Sequence, residues 1–442
     1  QLSRGKRPGR REMSLVIRGG TIIDSDGEKR ADVAIGDEGI ITEVSVNLKG
    51  DEELDASGCI VTSGFVDLHS HLREPGQEDA ETIETGARGG ALGGYTALIA
   101  MPNTTPAMDC LAVIDQVRAL GKKSVCEIIP TGTMTVGRNG EKMSPMGELV
   151  DAGVGIFTDD GNGLQDPRLM RRIMEYSTGL KHRLGRPVVL AQHCEVEALS
   201  CGGHMHEGAW SSRLGIPGQP AEAEELMVSR DIALVRLTGA HMHFQHLSTT
   251  GSVEMVRLAK QEGLPITAEA TTHHFSLTDA SCASYDPVFK VHPPLRTEQD
   301  VFAVKKGLSD GTIDAIATDH APHTDHSKEK SFAEAPPGML GLETAFSISL
   351  EDSGLDLPQI LALLSWRPAA IAGISDRHGN TVSIGSKANL CVIDPDITWT
   401  VSGSSMASRS SNTPYEGRRL RGRVRHTIQS GEAVVIDGET QR

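Results

Sequence analysis

The stretch IVTSGFVDLHSH, residues 60–71, is an apolar, β-branched run that ends in His-Ser-His. A short run of this kind reads as a buried strand, here with imidazoles at its end. Seven further runs follow in order: YTALIAM (95–101), SVCEIIP (124–130), GVGIF (153–157), PVVLAQ (187–192), AHMHFQ (240–245), LPITAEA (264–270) and TIDAIAT (312–318). Longer amphipathic segments separate them. In residues 166–184 Asp166 suits a helix cap, Pro167 the first turn and Gly185 the stop, with Leu169, Ile173, Tyr176, Leu180 and Leu184 forming an apolar stripe. Eight strands alternating with helices are the number that closes an α/β (β/α)8 TIM barrel, predicted over residues 63–377.

Outside that span the pattern changes. Residues 15–60 hold short Val- and Ile-rich runs broken by Gly and Asp, and NLCVIDPD, RVRHTIQSG and EAVVIDG repeat that composition near the far end. The simplest reading is one small composite β-domain formed by both terminal segments, 13–62 plus 378–442. Residues 1–12 carry five Arg or Lys without apolar periodicity and read as a disordered leader or an expression remnant.

Composition excludes several function classes. Acidic side chains outnumber basic ones by 59 to 43, a net charge of -16; such a surface repels phosphate backbones and anionic lipids, so neither nucleic acid nor membrane is expected as a partner. No apolar stretch approaches the roughly 20 residues of a membrane span, and the expected location is cytoplasmic. Seven scattered cysteines without a C-x-x-C spacing read as reduced thiols rather than a disulfide framework or a thiolate zinc site.

Histidine is the informative residue, at 17 copies. In a barrel the chemistry collects where strands end, and those positions carry His69 and His71, Asn103, Asp159 and Asp160, His193, His246, and Asp319. His69 and His71 stand two apart, on one strand face about 6.5 Å from each other, close enough to hold one ion. The other two such pairs, His204/His206 in a glycine-rich loop and His241/His243, read as structural. Strand parity groups His246 with Met242 and Phe244, opposite His241, His243 and Gln245, and the end position favours His246 as the ligand. Only one of the neighbours Asp159 and Asp160 can face the mouth. Imidazole and carboxylate ligands without thiolates make zinc the default metal, with manganese or cobalt able to substitute.

Taken in order, GFVDLHSHLREPG (64–76), AMPNTTP (100–106), FTDDG (157–161), QHCE (192–195), QHLST (245–249), HPPLR (292–296), ATDHAPH (317–323) and SRSSNTP (408–414) resemble the class I dihydroorotases of the amidohydrolase superfamily. The resemblance implies that His69, His71 and Asp319 hold one zinc ion, that His193 and His246 hold a second, and that Asp160 bridges them. No lysine stands in GIFTDDGNG, which separates the chain from cyclic amidases that bridge with a carboxylated lysine. Arg73, Asn103 and His323, with His71, resemble the groups around the substrate carboxylate, and Pro337 and Gly338 the loop against its ring. His292 departs from the family, which has asparagine there, and puts one substrate contact in question. Two divalent ions less two carboxylates and a hydroxide leave about one positive charge to receive an anion. The implied reaction is reversible cyclisation of N-carbamoyl-L-aspartate to L-dihydroorotate and water, a step of pyrimidine biosynthesis. In the hydrolytic direction the metals activate a shared hydroxide that attacks the ring amide, and Asp319 acts as general base and acid. The resemblance implies a homo-oligomer and allows association with aspartate transcarbamoylase. The competing readings are a hydantoinase- or allantoinase-like cyclic amidase and a catalytically silent scaffold of the transcarbamoylase; the scaffold is disfavoured because every expected ligand is present.

Overall fold

Gly64 divides the opening run in two. A Cβ there would stand 2.2 Å from the Thr96 side chain, so only glycine lets the chain pass. The run read as one strand is therefore two: Ile60–Ser63 joins a mixed sheet, and Phe65–Ser70 opens a parallel series. The computed structural model describes residues 15–441; the basic segment 1–12 lies outside the described residues.

The parallel strands are β1 (Phe65–Ser70), β2 (Tyr95–Ala100), β3 (Glu127–Pro130), β4 (Ile156–Thr158), β5 (Val189–Gln192), β6 (His241–Phe244), β7 (Ile266–Thr271) and β8 (Ala315–Ala317), one at each expected run, with β4 and β7 each ending one residue past theirs. They pair in the orders β3-β2-β1 and β4-β5-β6-β7-β8. Parallel bridges Gly132↔Phe157 and Ser70↔His320 join the two groups at both seams. Alternation along the strands sorts the side chains. Val66, Leu68, Ala97, Ile99, Ile156, Val189, Ala191 and Ala315 share one apolar cluster. Leu98, Phe157, Leu190, Met242 and Phe244 pack instead into the large cluster that includes the surrounding helices.

The helix Pro167–Leu184 starts where expected: the Asp166 side chain accepts from the Arg168 N–H at 2.8 Å, and Gly185 closes it at φ 76. Its stripe differs from the expected one. Met170, Ile173, Met174, Ser177 and Leu180 are buried, whereas Tyr176 is 43% exposed, because the buried face follows the 3.6-residue period one position off Tyr176.

Both chain ends meet in a second, larger sheet. The seven-stranded sheet places Ile60–Ser63, Thr21–Asp24 and Gly27–Arg30 beside Leu390–Thr400, Arg419–Gln429, Glu432–Ile436 and Glu439–Thr440. A four-stranded sheet of Ile41–Ser45, Asp32–Ile35, Leu15–Arg18 and Glu52–Asp55 completes it. Ile17, Ile22, Val33, Ile41 and Val61 from one end and Val382, Leu390, Val392 and Ile428 from the other form a single apolar cluster, each contributing roughly 1.5–3 kcal/mol on burial.

Candidate active site

Two local irregularities aim imidazoles into the strand mouth. Between Asp67 and Ser70 strand β1 advances three residues while its partner β2 advances two, from Leu98 to Ala100. This bulge shifts the phase of β1, so that His69 and His71 come together with ring centroids 5.2 Å apart above the interior side chains Val66 and Leu68. On β6, parity alone would send His246 outward with Met242 and Phe244, which face the helix layer. The strand ends at Phe244, and His246 turns in through a left-handed backbone at φ 33. The expected grouping by parity is corrected here: His246 reaches the site by leaving the strand. Arg73 (φ 62) and Asp319 (φ 45) are left-handed too. Such conformations cost of order 1–3 kcal/mol each and persist where the surroundings over-determine them.

The imidazoles converge on Asp160. Its Oδ1 lies 3.3 Å from His69 Nε2, 3.6 Å from His193 Nδ1 and 3.8 Å from His246 Nε2, and its Oδ2 lies 3.4 Å from His71 Nε2. Asp319 Oδ1 is 2.9 Å from His71 Nε2 and 3.5 Å from His69 Nε2. Two overlapping triads, His69–His71–Asp160 and Asp160–His193–His246, are fully buried and compact enough to hold metal ions. Asp159 faces away: its Oδ1 accepts from the N–H groups of Met134 at 2.8 Å and Thr135 at 3.0 Å.

The outer nitrogens explain what the inner ones do. His69 Nδ1 donates to Glu269 at 2.8 Å, His71 Nδ1 to Asn103 at 2.9 Å and His193 Nε2 to Glu195 at 3.2 Å. A neutral imidazole that donates from one nitrogen offers a lone pair at the other. Three rings therefore turn lone pairs toward Asp160, the arrangement in which outer partners orient metal ligands. Among the described residues, His69 Nε2 and Asp160 Oδ1, which face each other, are buried without a hydrogen-bond partner. An apolar filling would leave those atoms uncompensated at about 1–3 kcal/mol each; a divalent cation suits them. Charge follows the same pattern. Burial alone would raise the Asp160 carboxyl, but positive charge and hydrogen-bond donation at His69, His193 and His246 outweigh it and hold it well below the ordinary range, a stabilisation that a bound cation supplies in their place when the rings are neutral. Glu269, also buried, is held at about 2 by its hydrogen bonds from His243 and His69.

Beside this centre lies a cavity of 230 Å³. Every expected site residue except His69 lines it, including Arg73, Asn103, His292, His323, Pro337 and Gly338. Arg73 is 7% exposed, its Nε donates to Pro322 O at 3.2 Å, and no ion pair among the described residues involves it. Burial lowers its pKa to about 10, so the guanidinium stays charged at neutral pH. Burial and the Arg73 charge push His323 down to about 2, and its neutral ring donates from Nε2 to Pro337 O at 2.7 Å.

The sequence reading missed Glu269, Glu195 and Arg138. Glu269 stands inside the run 264–270, a carboxylate in an otherwise apolar strand, and that was the available signal. Arg138, left-handed at φ 59, donates to Asp160 O at 2.6 Å, and no motif announces it. The paired histidines treated as structural divide: His241 is exposed, while His243 is buried and shares Glu269 with His69, at 3.0 Å. His206 lies 3.2 Å from Arg296 Nη1, away from the cluster around Asp160.

A family model described as dihydro-orotase-like matches residues 58–252. A dihydroorotase of Streptomyces coelicolor is 46% identical over 433 residues, 96% of this chain and 99% of that protein. One of Mycobacterium tuberculosis is 45% identical over 439 residues, 97% and 99% of the two chains. Among solved structures, an L-hydantoinase (dihydropyrimidinase) from Arthrobacter aurescens superposes with a TM-score of 0.86 at 24% identity, covering 97% of this chain and 98% of its own. A D-hydantoinase (dihydropyrimidinase) from Thermus sp. reaches 0.80 at 24% identity, covering 96% of each chain. These two likenesses concern the fold. With bulge, left-handed turns and outward-donating imidazoles in place around Asp160, and with near full-length identity to curated relatives, the chain belongs to the dihydroorotase family.

Proposed function

We propose that the chain interconverts N-carbamoyl-L-aspartate and L-dihydroorotate, the cyclisation step of pyrimidine biosynthesis, at a zinc centre of two ions. One observation carries the metal: three imidazoles donate outward and turn their remaining lone pairs on one buried carboxylate. His69, His71 and Asp319 would hold one ion, His193 and His246 the other, with Asp160 shared between them. When bound, the metal supplies Lewis-acid polarisation of the ring amide and lowers the pKa of water.

The remaining chemistry belongs to side chains. Arg73, buried and without an ion pair, binds the substrate carboxylate as a planar fork. Asn103, whose Oδ1 is engaged by His71, presents its NH2 to the same carboxylate, and neutral His323 lies alongside. Pro337 and Gly338 bound the ring, and His292 contacts its edge. Asp319 takes the proton from the attacking water and returns it to the leaving ring nitrogen. In the opposite direction the site closes the ring and expels water.

This reading assigns residues 63–377 to a closed (β/α)8 barrel and 13–62 plus 378–442 to a composite β-domain, supported by the bridges at both seams and the shared terminal cluster. A cytoplasmic setting is part of this reading, in keeping with seven cysteines that are all free; among the described residues no helix is long and apolar enough to cross a membrane. Leu226, Leu237, Leu258 and Phe302, each at least 50% exposed on the helices Glu222–Thr238, Thr250–Gln261 and Glu298–Asp310, support a homo-oligomer. Association with aspartate transcarbamoylase rests on the family resemblance alone. The deciding experiment assays the purified chain on dihydroorotate, hydantoin and allantoin beside elemental analysis. Turnover of dihydroorotate with bound zinc is expected, and exclusive turnover of another ring would replace the substrate.

A further inference from the structure

We propose that Asn412, on the C-terminal segment outside the eight parallel strands, is a positioning residue that ties together the two loops against the substrate; the proposal rests on the dihydroorotase reading. Its side chain is 6% exposed. The amide Nδ2 donates to Ala321 O and to Gly338 O, both at 3.1 Å, and Oδ1 accepts from the His323 N–H at 3.1 Å. Its own carbonyl accepts from the Leu340 N–H at 3.2 Å. One side chain thus holds the turn after β8, which carries His323, against the loop that carries Gly338.

Only an amide meets this demand, since the site needs two donors and one acceptor on a short stem. A carboxylate of the same shape would face two carbonyl oxygens with nothing to donate. The loops are otherwise joined by few bonds, among them Ala321 N–H to Met339 O at 2.8 Å. Close fit raises the stakes: Gly338 sits at φ 143, and a Cβ on it would stand 2.8 Å from His323 Nε2.

The residues before Asn412 anchor the segment along the same mouth. Ser408 Oγ donates to Glu81, and the Arg409 N–H donates to Glu81 Oε1 at 3.2 Å. Ser410 Oγ donates to Ala80 O at 2.7 Å and Ser411 Oγ to Asp325 Oδ1 at 2.6 Å. Glu81 in turn accepts from His320 Nε2 at 3.2 Å, next to Asp319. Residues 408–412 therefore run as a strap from the loop after β1 to the loop after β8, and Asn412 is its end. The strap touches no metal ligand, so its effect falls on substrate placement; loosely held contact groups bind substrate less well without altering the reacting centre.

The test compares the full-length, metal-loaded chain with Asn412→Ala and Asn412→Asp by kinetics on dihydroorotate, metal content, and hydrogen exchange of peptides covering 321–323 and 337–340. A rise of about tenfold or more in KM is expected in both variants, with kcat changed less than KM and metal content unaltered, together with faster exchange at both loops. Asn412→Ser, which keeps one donor, serves if Asn412→Ala does not fold. Unchanged KM, or a loss confined to kcat with loss of metal, overturns the positioning role. Unchanged exchange overturns it whatever the substrate. A wild-type chain without dihydroorotate turnover sinks the functional reading instead, and the exchange measurement then decides for Asn412 alone.

Discussion

Asp159 and Asp160 are adjacent and both 2% exposed, yet they serve different ends. Asp160 stands among four imidazoles, whereas Asp159 caps the N–H groups of Met134 and Thr135. Asp160→Ala should abolish turnover and metal retention. Asp159→Ala should lower the melting temperature, each orphaned buried donor costing about 1–3 kcal/mol, while the folded fraction keeps metal and turns over. Metal content per folded chain separates the two, and a metal-free, inactive Asp159 variant would reverse the assignment. His292 allows a finer comparison. Gln219 Nε2 donates to His292 Nε2 at 3.1 Å, and burial pushes the imidazole down to about 4, so the neutral ring carries its hydrogen on Nδ1. If that N–H meets the substrate, His292→Asn preserves kcat/KM, and His292→Ala loses roughly 1–3 kcal/mol of transition-state binding, about 5- to 150-fold. Equal values near wild type for both variants would leave His292 a packing role. The motifs made most of these residues legible, because metal and anion chemistry restricts which side chains can serve. Arg138 was not, since no motif marks its contact with Asp160, and Glu269 showed only as a carboxylate in an apolar run, its partner His69 lying 200 residues away.

At the scale of elements, strands were legible wherever one run of apolar residues met one structural fate. The run 60–71 failed that condition: its break at Gly64 depends on Thr96, across the β1–β2 interface, and no local pattern encodes that contact. The phase of β1 and the inward turn at His246 were hidden likewise, since a bulge or a left-handed residue resets parity without changing composition. A connection between elements supplies a pH-dependent prediction. Glu127 on β3 accepts from Arg377 at 2.8 Å and His378 at 2.7 Å, residues that follow the helix Trp366–Ala372. Burial opposes ionisation, but these two hydrogen-bonded partners outweigh it and hold the carboxyl at about 2 instead of 4.5. A depressed carboxylate gives its stabilisation in full above its unfolded value and loses it as pH falls through the folded one. Wild type should therefore melt above Glu127→Gln at pH 7, with the gap narrowing below about pH 4.5 toward pH 2. A gap constant across that window would show that the carboxylate charge is not what stabilises the contact.

Over the whole molecule, the two chain ends do more than close a second sheet. Their shared composition made the pairing of termini legible, but the strap at 408–412 was visible only as a motif, because its partners at Ala80, Glu81, Ala321 and Gly338 are long-range contacts. The strand mouth is consequently framed by both the parallel strands and the C-terminal segment, and at its centre lie buried polar atoms without partners. Such a centre couples metal binding to global stability: an ion that binds the folded chain alone stabilises it by RT ln(1 + [L]/Kd), about 2.7 kcal/mol at a hundredfold excess over Kd. Chelation followed by dialysis should therefore abolish turnover and lower the melting temperature together, and added zinc should restore both. Asp160→Ala separates this linkage from nonspecific effects of the ion, since it should melt at one temperature with or without zinc, whereas Asn412→Ala should keep the full zinc-dependent shift with its substrate affinity impaired. Full activity in the dialysed chain would remove the metal from the mechanism, and a zinc-dependent shift undiminished in Asp160→Ala would place the ion somewhere other than the cluster around Asp160.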